Sequence, residues 1–164
     1  MKTLSMMLSV LALHAHAADD KGYLKHTVTM TCGGASYTLT STCKSSGDPM
    51  ELNDCKPQTL VIDQGGAKRS TTLPELPAKY AAQIRASGRD LQDLFVISWA
   101  CSKTADGPIA TLYYSIGGGS AEYSEAWTHY DKAGKLVVDD SNITPKEVGT
   151  IEKNMKRVPS IMPE

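Results

Sequence analysis

The sequence contains few of the residues on which catalytic and nucleic-acid-binding sites depend. Its 164 residues include four histidines, two tryptophans and one phenylalanine, and the formal net charge is −1. A nearly neutral chain has no basic stripe that could follow a phosphate backbone, so we expect no nucleic-acid partner. Hydrophobic residues make up 41% and charged residues 21%, which is typical of one globular domain rather than of a disordered or repetitive chain.

Long hydrophobic runs are also scarce, and the main apolar run lies at the N-terminus. Residues 4–13 are mostly apolar, follow Lys2 and precede Ala15-His16-Ala17, a small-x-small cleavage pattern. This pattern predicts a signal peptide at residues 1–17 and a single exported domain at residues 18–164, located in the periplasm. The run is too short to span a bilayer, and no cysteine lies near the cleavage point, so we expect no membrane anchor.

The four cysteines are expected to form two disulfides, because an even number in an exported chain is typical of a disulfide framework. A zinc site is the alternative, but the spacing contains no C-x-x-C pair. Three pairings are possible. Cys32 precedes a Gly-Gly turn and Cys43 ends the returning strand, so these two lie too far apart to bond. We favour Cys32–Cys101 and Cys43–Cys55, which would leave no free thiol.

The first two strands follow from strict alternation. Leu24–Cys32 places Leu24, His26, Val28 and Met30 on one face, which predicts a half-buried strand. The segment 37–43 repeats the pattern, so the two strands form a hairpin whose outer face is rich in threonine.

The remaining elements are mostly short strands joined by turns, with one helix in the middle of the chain and one at its end. The central helix is predicted at Pro77–Ala86, and a capping box at Thr144 and Glu147 starts a C-terminal helix from Pro145 to about Lys156. We expect an α+β fold, mainly antiparallel β-sheet with helices on one face, stapled by disulfides. A loop is predicted at 44–57, and strands are predicted at 59–62, 68–73, 94–101 (central and covered on both faces), 109–116, 124–130 and 135–138.

Residues suited to catalysis are rare. His26 is expected at the edge of the core, and His129 is expected to be an unpartnered histidine at the surface or on an edge. No H-E-x-x-H or G-x-S-x-G motif is present. Glu122 and Glu125 are close enough to suggest a carboxylate pair, but paired acids on a loop are more often a solvated face. We therefore expect no enzyme, no catalytic residue, no metal and no cofactor.

One segment has an unusual composition. Gly117, Gly118 and Gly119 precede Ser120, Ala121 and Glu122, and aromatic residues flank this loop on both sides. Glycine frees the backbone, and tyrosine and tryptophan are enriched at recognition surfaces. The alternatives are a partner-binding loop and a plain connection whose aromatics lie in the core. By alternation, Tyr114 is expected to point inward and Tyr113 outward. The flanking aromatics are Tyr113, Tyr114, Tyr123 and Trp127.

Residues 93–138 carry a resemblance to a known family. The matching segments are Trp99-Ala100-Cys101, the strand 111–114, the loop 117–120, the aromatic strand 127–131 and the turn Ala133-Gly134-Lys135. This arrangement resembles exported immunity proteins that protect bacteria from type VI secretion amidases acting on peptidoglycan. The resemblance implies that a small-residue loop plugs the Cys–His cleft of a secreted peptidoglycan hydrolase. In this chain that plug would be Gly118, Gly119 and Ser120, flanked by Glu122 and Tyr123.

Two other functions remain open. The aromatic residues Tyr113, Tyr123 and Trp127 could stack on a sugar, which predicts a periplasmic module for a small molecule or glycan. A hydrolase using Glu122 or Glu125 is the third hypothesis. The binding surface could also be the threonine-rich face rather than the glycine loop, and the oligomeric state is left open.

Overall fold

The computed structural model describes residues 22–44, 47, 54–115, 123–139 and 141–158, and within these the chain forms two four-stranded antiparallel sheets and two helices. The first sheet contains, in spatial order, β1 (Leu24–Cys32), β2 (Ala35–Lys44), β3 (Asp54–Gln64) and β4 (Ala67–Thr72). The second sheet contains, in spatial order, β7 (Glu125–Tyr130), β6 (Gly107–Ser115), β5 (Phe95–Thr104) and β8 (Lys156–Arg157). The helices are α1 (Ala78–Ala86) and α2 (Pro145–Lys153). The predicted α+β class is confirmed.

The core lies between the two sheets, and alternation decides which residues enter it. Leu39 and Leu60 of the first sheet and Leu112 and Tyr114 of the second are fully buried in one cluster. The opposite face of the second sheet contacts α2, where Ile151 packs on a second, smaller apolar cluster. The layers are therefore sheet, sheet and helix. Residues 95–101 of β5 are buried or half-buried on both faces, as the mostly apolar segment 94–101 predicts.

Both predicted disulfides are present, and together they contain all four cysteines. Cys32–Cys101 joins the end of β1 to β5 and so ties the two sheets together. Cys43–Cys55 joins residues that are directly paired in β2 and β3. The hairpin register places Leu24 opposite Cys43, so Cys32 and Cys43 lie at opposite ends of the hairpin, as the sequence argument requires.

The connection between β4 and α1 is held against the second sheet by polar contacts of Glu75. One carboxylate oxygen of Glu75 pairs with Arg69 at 2.7 Å, and the other accepts a hydrogen bond from the Tyr130 hydroxyl at 3.0 Å. The main-chain carbonyl of Glu75 accepts the Thr128 hydroxyl at 2.9 Å. These contacts place α1 beside the edge strand β7.

Several boundaries and burial assignments differ from the expectations. Strand β3 begins at Asp54, so residues 54–57 belong to a strand and not to the predicted loop. Helix α2 ends at Lys153, because the chain turns to form β8 against β5. The predicted strand at 135–138 is reduced to a single bridge between Tyr130 and Leu136.

The first strand is also less buried than its alternation predicts. Leu24 is 66% exposed, and His26 is exposed rather than at the edge of the core. The reason is that β1 is the outermost strand of its sheet, and burial increases along it toward Cys32, where the disulfide meets the second sheet. The threonine-rich outer face is confirmed, with the Thr27 and Thr40 hydroxyls 3.3 Å apart across the hairpin.

Candidate functional site

The candidate site lies where β6 and β7 meet the glycine loop. The loop residues Gly117, Gly118, Gly119, Ser120, Ala121 and Glu122 lie outside the described part of the chain, whereas its two flanks are described. Ser115 and Glu125 are paired as the last residues of the β6–β7 ladder. The six consecutive pairs of this ladder have no bulge, so the strands on either side of the loop form a regular sheet up to Ser115 and Glu125.

One aromatic pair lies on the outer face of the second sheet, two residues before the ladder ends at Ser115 and Glu125. The rings of Tyr113 and Trp127 are paired across the strands, with centroids 4.8 Å apart. Burial, together with the hydrogen bond to Glu125 and its negative charge, raises the pKa of Tyr113 to about 12. Tyr113 is half-buried and Tyr114 is fully buried, which confirms the predicted alternation.

A second aromatic pair lies on the other side of β7. Tyr80 of α1 is 6.4 Å from Tyr123, ring centroid to ring centroid, and its hydroxyl donates to the carbonyl of Glu125 at 3.0 Å. Tyr123 has φ of 60°, an uncommon conformation for a side chain that is not glycine. The chain therefore turns sharply at Tyr123 as it enters β7, and α1 supports this turn.

His129 is buried, with 8% of its surface exposed, and its Nδ1 lies 2.9 Å from the Thr111 hydroxyl. The expectation of an unpartnered surface histidine is therefore wrong. The tertiary cause is the segment after β7, which folds back so that the Val137 amide donates to the His129 carbonyl at 2.8 Å.

Of the two carboxylates suggested as a pair, Glu125 is exposed and Glu122 lies outside the described residues. Across the described ranges, no group of three or more histidine, cysteine, aspartate or glutamate residues is close enough to hold a metal ion.

A groove runs along the outer edge of β7, and the sequence did not predict it. Its volume is about 710 Å³, with α1 on one side and the segment after β7 on the other. The residues that line it are Pro77, Lys79, Tyr80, Gln83, Trp127, His129, Val137, Val138 and Asp139. The amphipathic pattern of α1 predicts a helix but not its position beside β7, so no local signal indicates the groove.

Comparisons with protein-family models, curated proteins and solved structures found no match to this chain. The two disulfides indicate an oxidising compartment outside the cytoplasm. No helix in the described ranges is long and apolar enough to cross a membrane. The predicted signal peptide at 1–17 lies outside the described residues.

Because burial raises the pKa of two tyrosines, we expect the protein to lose stability at alkaline pH. Burial raises the pKa of Tyr37 to about 12, with a further contribution from Asp131, and burial also raises the pKa of Tyr130 above its usual 10.0. Above pH 10 the unfolded chain loses these protons while the folded chain keeps them, so the unfolded state binds fewer protons. The stabilisation is complete below pH 10 and falls as the pH rises toward 12.

Absorbance at the tyrosinate band, followed from neutral to alkaline pH, together with melting temperatures over the same range, measures this effect. We expect the folded protein to titrate later than the urea-unfolded chain and the melting temperature to fall in the same interval. Coincident titration of the two states, with a constant melting temperature, would contradict the prediction.

Proposed function

We propose that this protein is an exported inhibitor that binds a cell-wall amidase and blocks its active site with the Gly/Ser-rich loop at residues 117–122. The observation that carries the proposal is that two aromatic pairs support the residues on either side of the loop. Tyr113 and Trp127 pair on one side, Tyr80 and Tyr123 pair on the other, and the regular β6–β7 ladder joins them.

A supported flank favours binding because it lowers the entropy lost on association. The strands on either side of the loop belong to a sheet that Cys32–Cys101 links to a second sheet, so Ser115 and Glu125 are held at fixed positions. Its glycines allow the backbone to enter a narrow cleft, and the Ser120 hydroxyl can both donate and accept hydrogen bonds at a catalytic imidazole. Glu122 and Glu125 would complement a basic surface around the cleft.

The test uses the exported domain, residues 18–164, against a panel of secreted Cys–His peptidoglycan amidases, including any encoded next to its gene. Clearing of a peptidoglycan suspension measures the activity of each amidase. We expect inhibition of at least one amidase at near-equimolar inhibitor. The double variant Gly118→Arg, Ser120→Trp should weaken that inhibition by about 100-fold or more, as expected when a central anchor is replaced.

The matched control is Ala105→Arg, Asp106→Trp, which places the same two side chains in the exposed turn at the opposite end of β6. This control should inhibit as well as the unmodified domain. If the loop variant inhibits as strongly as the control, the role of the loop is wrong. If no amidase of the panel is inhibited or captured by the unmodified domain, the proposed partner class is wrong.

A further inference from the structure

Strand β1 has an open main-chain edge. It is the outermost strand of the first sheet and pairs with β2 without a bulge from Leu24 to Cys32. Cys32 and Ala35 flank the two-residue turn Gly33-Gly34, so they bond to each other through both main-chain groups. Because the side to which the N–H and C=O point alternates along a strand, every second residue of β1 turns both groups away from β2. These residues are Lys25, Thr27, Thr29 and Thr31.

The outward groups of β1 are available to a partner. No hydrogen bond from the described part of the chain reaches them, and all four residues are exposed. The edge of the second sheet at β7 is different, because the Glu125 carbonyl accepts the Tyr80 hydroxyl. Further along β7, the His129 carbonyl accepts the Val137 amide. The β1 edge is therefore long enough to pair with a strand of about eight residues.

A groove of about 570 Å³ lies along the C-terminal half of this edge. Thr29 and Thr31 reach it from one face of β1 and Met30 reaches it from the other, so the groove runs beside the edge rather than on either face. The remaining residues that line it are 99–101 of β5 and 153–156, which lead from α2 into β8. A strand added to β1 would enter this groove and contact the second sheet as well as the first.

The charged side chains of the edge and the groove are positive. Lys25 lies on β1, and the exposed residues Lys153 and Lys156 line the groove. Neither β1 nor the described lining of the groove contains an aspartate or a glutamate. Acidic side chains on an added strand would be attracted to these lysines, whereas basic side chains would be repelled.

We propose that the β1 edge binds an extended segment of another protein that carries acidic side chains, by strand addition. The main-chain bonds supply affinity, and the lysines select an acidic sequence. A second copy of this chain fits less well. In the antiparallel register that pairs all four outward residues, Lys25 of each copy meets Thr31 and the groove lysines of the other, and like charges oppose such pairing. The site goes beyond the proposed inhibition and uses no residue of the loop 117–122.

The test is a titration of the ¹⁵N-labelled domain, residues 18–164, with three octapeptides, followed by amide NMR. The first alternates valine and glutamate, and we expect it to bind and to shift the amides of Thr27, Thr29 and Thr31. The second alternates valine and lysine and should bind about tenfold more weakly or not at all, because its charge has the wrong sign. The third is the acidic peptide with every amide N-methylated. It keeps the charge but donates no main-chain hydrogen bond, so it should also bind about tenfold more weakly or not at all.

Proline variants test the main-chain pairing. Thr29→Pro removes an outward N–H and no bond to β2, a change that an edge strand tolerates. It should bind the acidic peptide about tenfold more weakly than Thr29→Ala, which keeps the N–H. Ser70→Pro is the matched control, because Ser70 turns its N–H outward on β4, at the other edge of the same sheet. This control should bind the acidic peptide as the unmodified domain does.

Charge-reversal variants test the selection of acidic side chains. Lys153→Glu with Lys156→Glu should abolish the preference for the acidic over the lysine peptide. Lys79→Glu with Lys146→Glu makes the same change in net charge at positions that do not line this groove, and it should keep the preference. All four lysines are exposed, so these variants test the site even if Thr29→Pro fails to fold.

Each contrary result has a definite meaning. No binding of the acidic peptide at millimolar concentration would overturn the site. Equal binding of the lysine peptide would overturn the acidic partner, and equal binding of the N-methylated peptide would overturn strand addition. A concentration-dependent dimer in sedimentation that Thr29→Pro abolishes would assign the edge to a second copy instead. The loop variant Gly118→Arg, Ser120→Trp should bind the acidic peptide normally, so this proposal and the amidase proposal can fail separately.

Discussion

Replacing Cys32 and Cys101 by alanine is expected to lower the free energy of unfolding by about 4 kcal/mol. The two cysteines are 69 residues apart in sequence, so the bond closes a long loop and removes much of the conformational freedom of the unfolded chain. The same bond is a covalent link between the two sheets, at the C-terminal end of β1. Urea unfolding of the double variant, followed by far-ultraviolet circular dichroism, measures the change.

The matched control is replacement of Cys43 and Cys55 by alanine. These residues are 12 apart in sequence, so the closed loop is shorter and the expected loss is about 3 kcal/mol. The pairing of β2 with β3 continues on both sides of this bond, to Lys44 and Asp54 on one side and to Ser36 and Asp63 on the other. A larger loss for Cys43 and Cys55 than for Cys32 and Cys101 would show that loop length does not govern the stabilisation.

Replacing Gln58 by leucine is expected to cost about 3 kcal/mol, since it leaves buried main-chain groups without partners. Gln58 is 1% exposed and bonds to β5 with both ends of its amide. Its Oε1 accepts the Val96 amide at 2.6 Å, and its Nε2 donates to the Val96 carbonyl at 3.2 Å and to the Ser41 hydroxyl at 2.8 Å. The Gln58 side-chain amide thus bonds both the main-chain N–H and the C=O of Val96, as a residue of a neighbouring strand would. These bonds lie at the bulge between Val96 and Ser98.

Gln92→Leu is the matched control, because Gln92 is exposed and the same change there should alter stability by less than about 0.5 kcal/mol. Thermal and urea unfolding of both variants measure the difference. Equal stabilities of the two variants would mean that Val96 finds other partners and that the bridge from Gln58 contributes little.

Local pattern predicted most of the elements correctly. The hairpin of β1 and β2, helix α1 and the capping box of α2 follow from alternation, from Pro77 and Gly88, and from the Thr144–Glu147 spacing. These signals are contained in a few adjacent residues, so they do not depend on the rest of the fold. Hairpin geometry also excluded a bond between Cys32 and Cys43, which left two of the three possible disulfide pairings open. The structure contains the favoured pairing of these two.

The contacts around the candidate site were harder to predict from the sequence. The alternation that places Tyr114 inside and Tyr113 outside is local, and it is confirmed. The partners of these residues are not local: Tyr80 is 45 residues from Glu125, whose carbonyl it binds, and His129 is buried by a segment that folds back after β7. A histidine or tyrosine in a strand has the same local pattern whether or not another element covers it.

By itself, the sequence determined the strand and helix content, the export-type cysteine chemistry and the unusual composition of residues 113–127. Only the tertiary structure decided that the strands divide into two sheets, that Gln58 bridges them and that α1 forms a groove along β7. The physical reason is that a period of two is identical in one sheet or two, whereas the arrangement of sheets depends on contacts between distant residues.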